Sequence, residues 1–268
     1  MKTGLITLAL GASLVLVTAM ARAEESTQDA IAQYREMLAD GNPAELWELR
    51  GEELWKQARG PKNASLEKCD LGMGPGVVKG ASARIPRYFK DTGKVQDLES
   101  RLMTCMNDLQ GITPDHFIKG KWGKGEMDNM EAIVAYVVAQ SQGDKVRVDL
   151  KNPAMKHMYE LGKMSFFYRA GPMDFSCASC HGQDGKRIRL QDLPNLTTHK
   201  GAAAGWGSWP AYRVSNGQFW TMQHRLNDCY RQQRFPEPVY GSEATIALSV
   251  YLAGNANGGT VKTPGIKR

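Results

Sequence analysis

The sequence predicts an all-α protein made of two tandem copies of one domain. Three observations carry that expectation. Blocks of residues recur in the same order at spacings of 111, 124 and 112; apolar residues fall at helical intervals in both halves; and little strand-like alternation appears anywhere. The first block is Gly51-x8-Gly60-Pro61, which returns as Gly162-x8-Gly171-Pro172. The second is Arg101-Leu102-Met103-Thr104-Cys105, answered by Arg225-Leu226-Asn227-Asp228-Cys229. The third pairs Glu131–Ala135 with Glu243–Ala247. The change in spacing implies 13 extra residues in the second half, expected in the Gly- and Trp-rich stretch around Trp206 and Trp209. The halves should meet between Gly143 and Asn152, giving domains at 24–147 and 148–268.

Taken in order, residues 1–23 read as a cleavable secretory leader. Lys2 precedes an apolar run from Leu5 to Val17, and Ala21-Arg22-Ala23 supplies small residues at a cleavage site. Helices are expected over Gln28–Leu38 and Pro43–Arg59, the latter anchored by Trp47, Leu54 and Trp55. Further helices are expected over Met127–Gln140, Asn152–Arg169 and Ser242–Leu252. Gly72–Gly80 and Gly201–Gly207 read as loops around a pocket, and Gly254–Arg268 as an extended surface arm.

Of 268 residues, 42% are hydrophobic and 23% charged, which excludes a mostly disordered chain. Lys and Arg number 34, two of them in the leader, against 28 Asp and Glu, so the mature chain carries +4. There is no basic run and no helix-turn-helix or zinc-finger spacing, so no nucleic-acid partner is expected. Beyond the leader no stretch of 18 apolar residues occurs, so no membrane span is expected either, and the mature protein should be soluble and periplasmic.

An oxidising compartment frames the five cysteines. Cys177-Ala178-Ser179-Cys180-His181 is the C-x-x-C-H pattern of c-type heme attachment: two thiols one helical turn apart reach two vinyl groups, and the adjoining imidazole reaches the iron. Leu193-Pro194-Asn195-Leu196 is similar to the class I cytochrome c loop whose proline carbonyl accepts the proximal histidine's N–H. Both halves therefore read as class I cytochrome-c-like. The 111-residue spacing lays Leu66, Cys69 and Asp70 on Cys177, Cys180 and His181, so only the second half should bind heme. Across an emptied pocket Cys69 and Cys105 can approach, and a disulfide between them is expected. Closing a loop of this size stabilises by roughly 4 kcal/mol in the chain-entropy picture.

The sixth iron ligand has four candidates after His181: His199, Met222, His224 and Cys229. Methionine ligation would make a simple electron carrier. Cys229 fits the repeat better, because its counterpart is also a cysteine facing the pocket. Arg225 shares a helical face with Cys229, and Arg231 and Arg234 follow closely. Such cations favour a thiolate and offer a fork to an oxyanion, or they pair with heme propionates or solvent.

Cys-Ala-Ser-Cys-His followed by Arg-Leu-Asn-Asp-Cys-Tyr-Arg-Gln-Gln-Arg closely resembles the SoxA subunits of SoxAX cytochromes, the L-cysteine S-thiosulfotransferases of bacterial sulfur oxidation. The resemblance spans essentially the whole mature chain. It implies one covalent heme c attached through Cys177 and Cys180 and ligated by His181 and Cys229, a persulfide on Cys229, and substrate binding by Arg225. It also implies a SoxX partner, conjugation of thiosulfate to a cysteine of the carrier SoxYZ, and a soluble cytochrome c as electron acceptor. Many members carry a second C-x-x-C-H in the first domain; this sequence does not. Two other readings stay open: an electron-transfer cytochrome with His181 and Met222 as ligands, and a sensor or scaffold in which heme only supports the fold. Trp206, Trp209 and Trp220 could form a partner surface or pack around the porphyrin.

Overall fold

A computed structural model describes residues 41–188 and 191–267, together with Gln33; the leader and, apart from Gln33, the helix expected over Gln28–Leu38 lie outside the described residues. The first half opens with α1 (Ala44–Lys56) and a glycine-rich loop. A hairpin of β1 (Arg87–Phe89) and β2 (Lys94–Gln96) leads into α2 (Leu98–Cys105), which runs on as a π-helical turn over Met106–Gln110. A short α3 (Asp115–Ile118) and the long α4 (Gly125–Ala139) complete this half.

The second half follows. It runs through α5 (Pro153–Phe167), a five-residue α6 (Cys177–His181), hairpin β3 (Arg187–Ile188) and β4 (Gln191–Asp192), and α7 (His199–Trp206). Then come hairpin β5 (Ala211–Arg213) and β6 (Gln218–Trp220), α8 (Met222–Gln232), α9 (Glu243–Asn255) and β7 (Gly265–Lys267).

The repetition is physical as well as sequential. Arg59 bridges Ala64 and, 111 residues on, Ala170 bridges Phe175, each closing the Gly-Pro turn. Arg87 pairs Gln96 and, 124 residues on, Ala211 pairs Trp220. Asp97 caps α2 by accepting the Ser100 N–H, and Thr221 at the same offset caps α8 by accepting the His224 N–H. Helix α1 packs along α4 as α5 packs along α9, and in each pair a glycine permits the close approach. A β-carbon at Gly51 would strike the Ala132 carbonyl oxygen and lie 2.9 Å from Tyr136 Cβ; one at Gly162 would strike the Ala247 carbonyl and lie 2.9 Å from Tyr251 Cβ.

These contacts correct the third block. Ala132 corresponds to Ala247 and Tyr136 to Tyr251, a spacing of 115 rather than 112. Because the hairpins match from Ala211 onward, the extra residues lie before β5, where β3, β4 and α7 stand.

Three other expectations change. Gly201–Gly207 is mostly helical, within α7: Thr198 caps it, Ala202–Ala204 favour it, and Gly201 and Gly205 are needed because side chains there would strike Asn195 and Leu196. The tail is no surface arm. Val261 and Thr263 are buried, and β7 joins β5 in parallel, Arg213 opposite Lys267. The all-α expectation gives way to a helical fold carrying three small sheets among the described residues; strands of two or three residues are too short to show alternation.

Trp55 sits in the core of the first half, with Trp47 and Leu54 packed against it. That same core takes in Phe219 and Tyr240 from the second half, and residues 43–268 form one compact unit. Cys69 and Cys105 are joined by a disulfide with Cα atoms 5.5 Å apart. Among the described residues no helix is long and apolar enough to cross a membrane.

Candidate heme site

The two attachment thiols and the histidine share α6. Ser176 caps that helix by accepting the Ser179 N–H, while the Ser179 hydroxyl accepts the Ser176 N–H, so a five-residue helix is held from its first turn. Cys177 and Cys180 are free thiols although only one turn apart. The His181 Nδ1–H donates to the Pro194 carbonyl at 2.9 Å, the bond expected from the sequence. The Leu196 N–H donates to the His181 carbonyl at 2.8 Å, tying the same loop to the helix end. With Nδ1 occupied, Nε2 carries the lone pair. Burial, and then the Arg225 charge, lower the His181 pKa, which keeps that lone pair available.

Nearby stands α8 with Cys229, also a free and partly buried thiol. The three cysteines lie close enough to act on one another electrostatically. Burial pushes the Cys177 thiol up to about 12, with Cys229 and Cys180 adding to the effect. Burial likewise raises Cys229, against which the Arg225 charge pulls downward, while Asp228 and Cys180 raise it further and Arg213 lowers it. The surrounding wall is apolar: Phe166, Met222, Leu226, Leu248, Tyr251 and Leu252, with Leu196, Trp206, Trp209 and Tyr230 beside them. Two thiols, an imidazole whose Nε2 keeps its lone pair, and an apolar wall are the donor set and lining that a covalent porphyrin requires.

Arg225 lies over the Trp209 ring, its Cζ 5.5 Å from the centroid, and donates to Asp228 Oδ2 at 3.0 Å. Asp228 also accepts from Arg231 at 2.5 Å and from Gln232 at 2.5 Å, so one buried carboxylate gathers α8's cations. Arg231 is otherwise exposed, and Arg234 is exposed with φ of 60°.

The remaining ligand candidates separate. Met222 opens α8, buried in the apolar wall two turns before Cys229. His199 bonds the Asn257 carbonyl through Nε2 at 2.9 Å. His224 is sandwiched between Trp122 and Trp220, both 4.1 Å away and nearly parallel, with Nδ1 3.7 Å from Glu131. Trp220 is therefore core, and Trp206 and Trp209 pack against the apolar cluster that includes Met222 and Leu226. Sequence reasoning missed Arg213 and Asp228. Asp228 sat inside the second repeated block, and Arg213 is reached only through the hairpin register.

Comparison with known proteins gives the family. The family model "SoxA/TsdA, cytochrome c domain" matches residues 50–146, the half without Cys-x-x-Cys-His, and marks the chain as a cytochrome c protein. Such a domain implies covalently bound heme c. The chain is 65% identical to the L-cysteine S-thiosulfotransferase subunit SoxA of Hydrogenophilus thermoluteolus, over 97% of this chain and 96% of the relative. It is 36% identical to a subunit of the same name from Hydrogenobacter thermophilus, over 95% and 94%. Its fold is similar to the crystal structure of SoxXA from P. pantotrophus, with a TM-score of 0.73, 28% identity and coverage of 88% and 84%. The chain belongs to the SoxA family of L-cysteine S-thiosulfotransferase subunits.

Proposed function

We propose that this chain is the catalytic subunit of a periplasmic enzyme that conjugates thiosulfate to a cysteine of the SoxYZ carrier, paired with a SoxX cytochrome. In this reading residues 24–147 and 148–268 are two cytochrome-c-like domains, and only the second holds heme. Cys177 and Cys180 attach it, and His181 and Cys229 hold its iron. Bound heme would supply the route by which two electrons leave toward a soluble cytochrome c.

Cys229 is the sulfur on which the substrate is built. Its sulfur, whether thiolate or persulfide, joins the sulfane sulfur of thiosulfate, forming one S–S bond and releasing two electrons. The carrier cysteine, its proton lost to solvent, then attacks that sulfane sulfur, takes the S–SO3 group and returns Cys229 to its starting anion. Dividing the coupling this way replaces one hard step by two easier ones. Arg225, one turn before Cys229, orients the anion.

One observation carries the reading: two cysteines at equivalent places of the repeat have opposite fates. Cys105 is locked to Cys69, while Cys229 stays free, close enough to Arg225 and Cys180 to feel their charges. Met222 in the same wall supports the electron-carrier alternative, and one variant separates the two. Cys229→Met in the holoprotein should keep covalent heme yet lose thiosulfate conjugation to the carrier, scored by carrier mass. Full turnover in that variant refutes the transferase reading.

A further inference from the structure

The internal repeat supplies a control for the site, since each residue of the second half can be set against its counterpart in a half without the attachment motif. From β1 to α2 and from β5 to α8 the offset is 124 throughout, so Arg225 corresponds to Arg101 and Arg213 to Phe89. In the first half these two positions touch: the Arg101 guanidinium lies 4.1 Å from the Phe89 ring centroid. Arg101 Nε then donates to the Asp70 carbonyl at 2.6 Å, and Asp70 stands where His181 stands. In the first half the strand end at 89 therefore borders the helix arginine, which in turn reaches the position equivalent to the proximal histidine. Where the first half puts a phenyl ring, the second puts a cation.

Arg213 is also held there. Its guanidinium stacks 5.1 Å from the Trp220 centroid, and Trp220 continues a parallel column through His224 to Trp122 of the first half. Tyr240 closes that column edge-on against Trp122 at 5.3 Å. Arg213 and Arg225 both stand close enough to Cys229 for their charges to act on it. Charge balance argues for a second cation, because Asp228 already offsets part of Arg225, and a dianion beside a sulfur anion needs more than one guanidinium.

We propose that Arg213 is a second anion-holding residue of the site, which with Arg225 grips the oxyanion end of a sulfur dianion such as thiosulfate beside Cys229. This rests on the transferase reading given above. The rings of Trp220, His224 and Trp122 fix its position, which gives the half without the attachment motif a part in substrate binding.

The test uses the holoprotein with its partner subunit, thiosulfate as probe, and carrier conjugation as readout. Arg213→Gln should raise the KM for thiosulfate about tenfold, the loss expected for one charge-assisted hydrogen bond, with kcat and heme content little changed. Arg213→Lys should recover part of that loss, since it restores the charge without the fork. An unchanged KM in Arg213→Gln overturns the proposal, as does a shifted heme potential or lost heme at unchanged KM, which would place Arg213 on a propionate. If Arg213→Gln fails to fold, Arg213→Lys decides: a KM raised severalfold supports the proposal and a parental KM overturns it. A parental enzyme with no thiosulfate turnover would instead sink the transferase reading itself.

Discussion

Asp228 is the residue through which the cations of α8 are organised. It is nearly buried, and it receives Arg225, Arg231 and Gln232 from three directions. Arg231 is exposed, so its pairing with Asp228 contributes little by itself. Arg225 differs because it is only partly exposed and rests on Trp209. Arg225→Ala should therefore raise the thiosulfate KM by about tenfold or more, while Arg231→Ala leaves it nearly unchanged; steady-state conjugation assays on both variants check the contrast. This level of detail was only half legible in the sequence. Cys177, Cys180, His181 and the Pro194 carbonyl declare themselves because motif and loop are local in the chain. Arg213, Asp228 and the Trp122–His224–Trp220 column do not, because strand register and the meeting of distant elements put them in place.

At the scale of elements, two glycines decide how closely the long helices cross. Gly51 lets α1 lie on the Ala132 backbone, and Gly162 lets α5 lie on that of Ala247. Alanine at either site has no room to relax, since the obstruction is a main-chain carbonyl rather than a flexible side chain. Gly51→Ala and Gly162→Ala should each cost about 3 kcal/mol, at the upper end for overpacking, although alanine is the better helix former. Urea midpoints of the two variants measure this, and a gain in stability at either site would contradict the packing. The same contacts show why the third block was misaligned by three residues. Helices α4 and α9 are rich in Ala and Val, so letter matching finds several registers of similar quality, whereas the glycine crossing admits one. Helices α1, α4, α5 and α9 were legible from their 3.6-residue pattern, whereas α7 read as a loop because of its glycines. The hairpins and the β7 strand were not, being too short to display any period.

At the scale of the whole molecule, the amino ends of α2 and α8 meet, and the repeat makes them counterparts. Glu99 accepts the Gln223 N–H at 2.9 Å, and Asp97, besides capping α2, accepts the Gln223 side-chain amide at 2.5 Å. Tyr240 is buried near both, and Thr221 bonds Glu99. Two carboxyl groups thus occupy the junction without a facing cation among these contacts. Helix amino ends favour negative charge, yet burial outweighs them. Burial and then the Asp97 charge push Glu99 up to about 8, and burial raises Asp97 as well. The sign of the linkage follows. In the unfolded chain Glu99 ionises near its ordinary 4.5, whereas in the folded chain it keeps its proton until about 8. Between those values the unfolded state binds fewer protons, so stability is greatest below the lower value, falls as pH rises through the window, and levels off above it. Glu99→Gln should flatten that fall, because glutamine keeps the carbonyl that accepts the Gln223 N–H but has no proton to lose. Unfolding free energies from urea titrations at pH 5 and pH 8, compared between parent and variant, test this, and a variant that loses as much stability as the parent across that interval would show that Glu99 is ionised in the fold throughout.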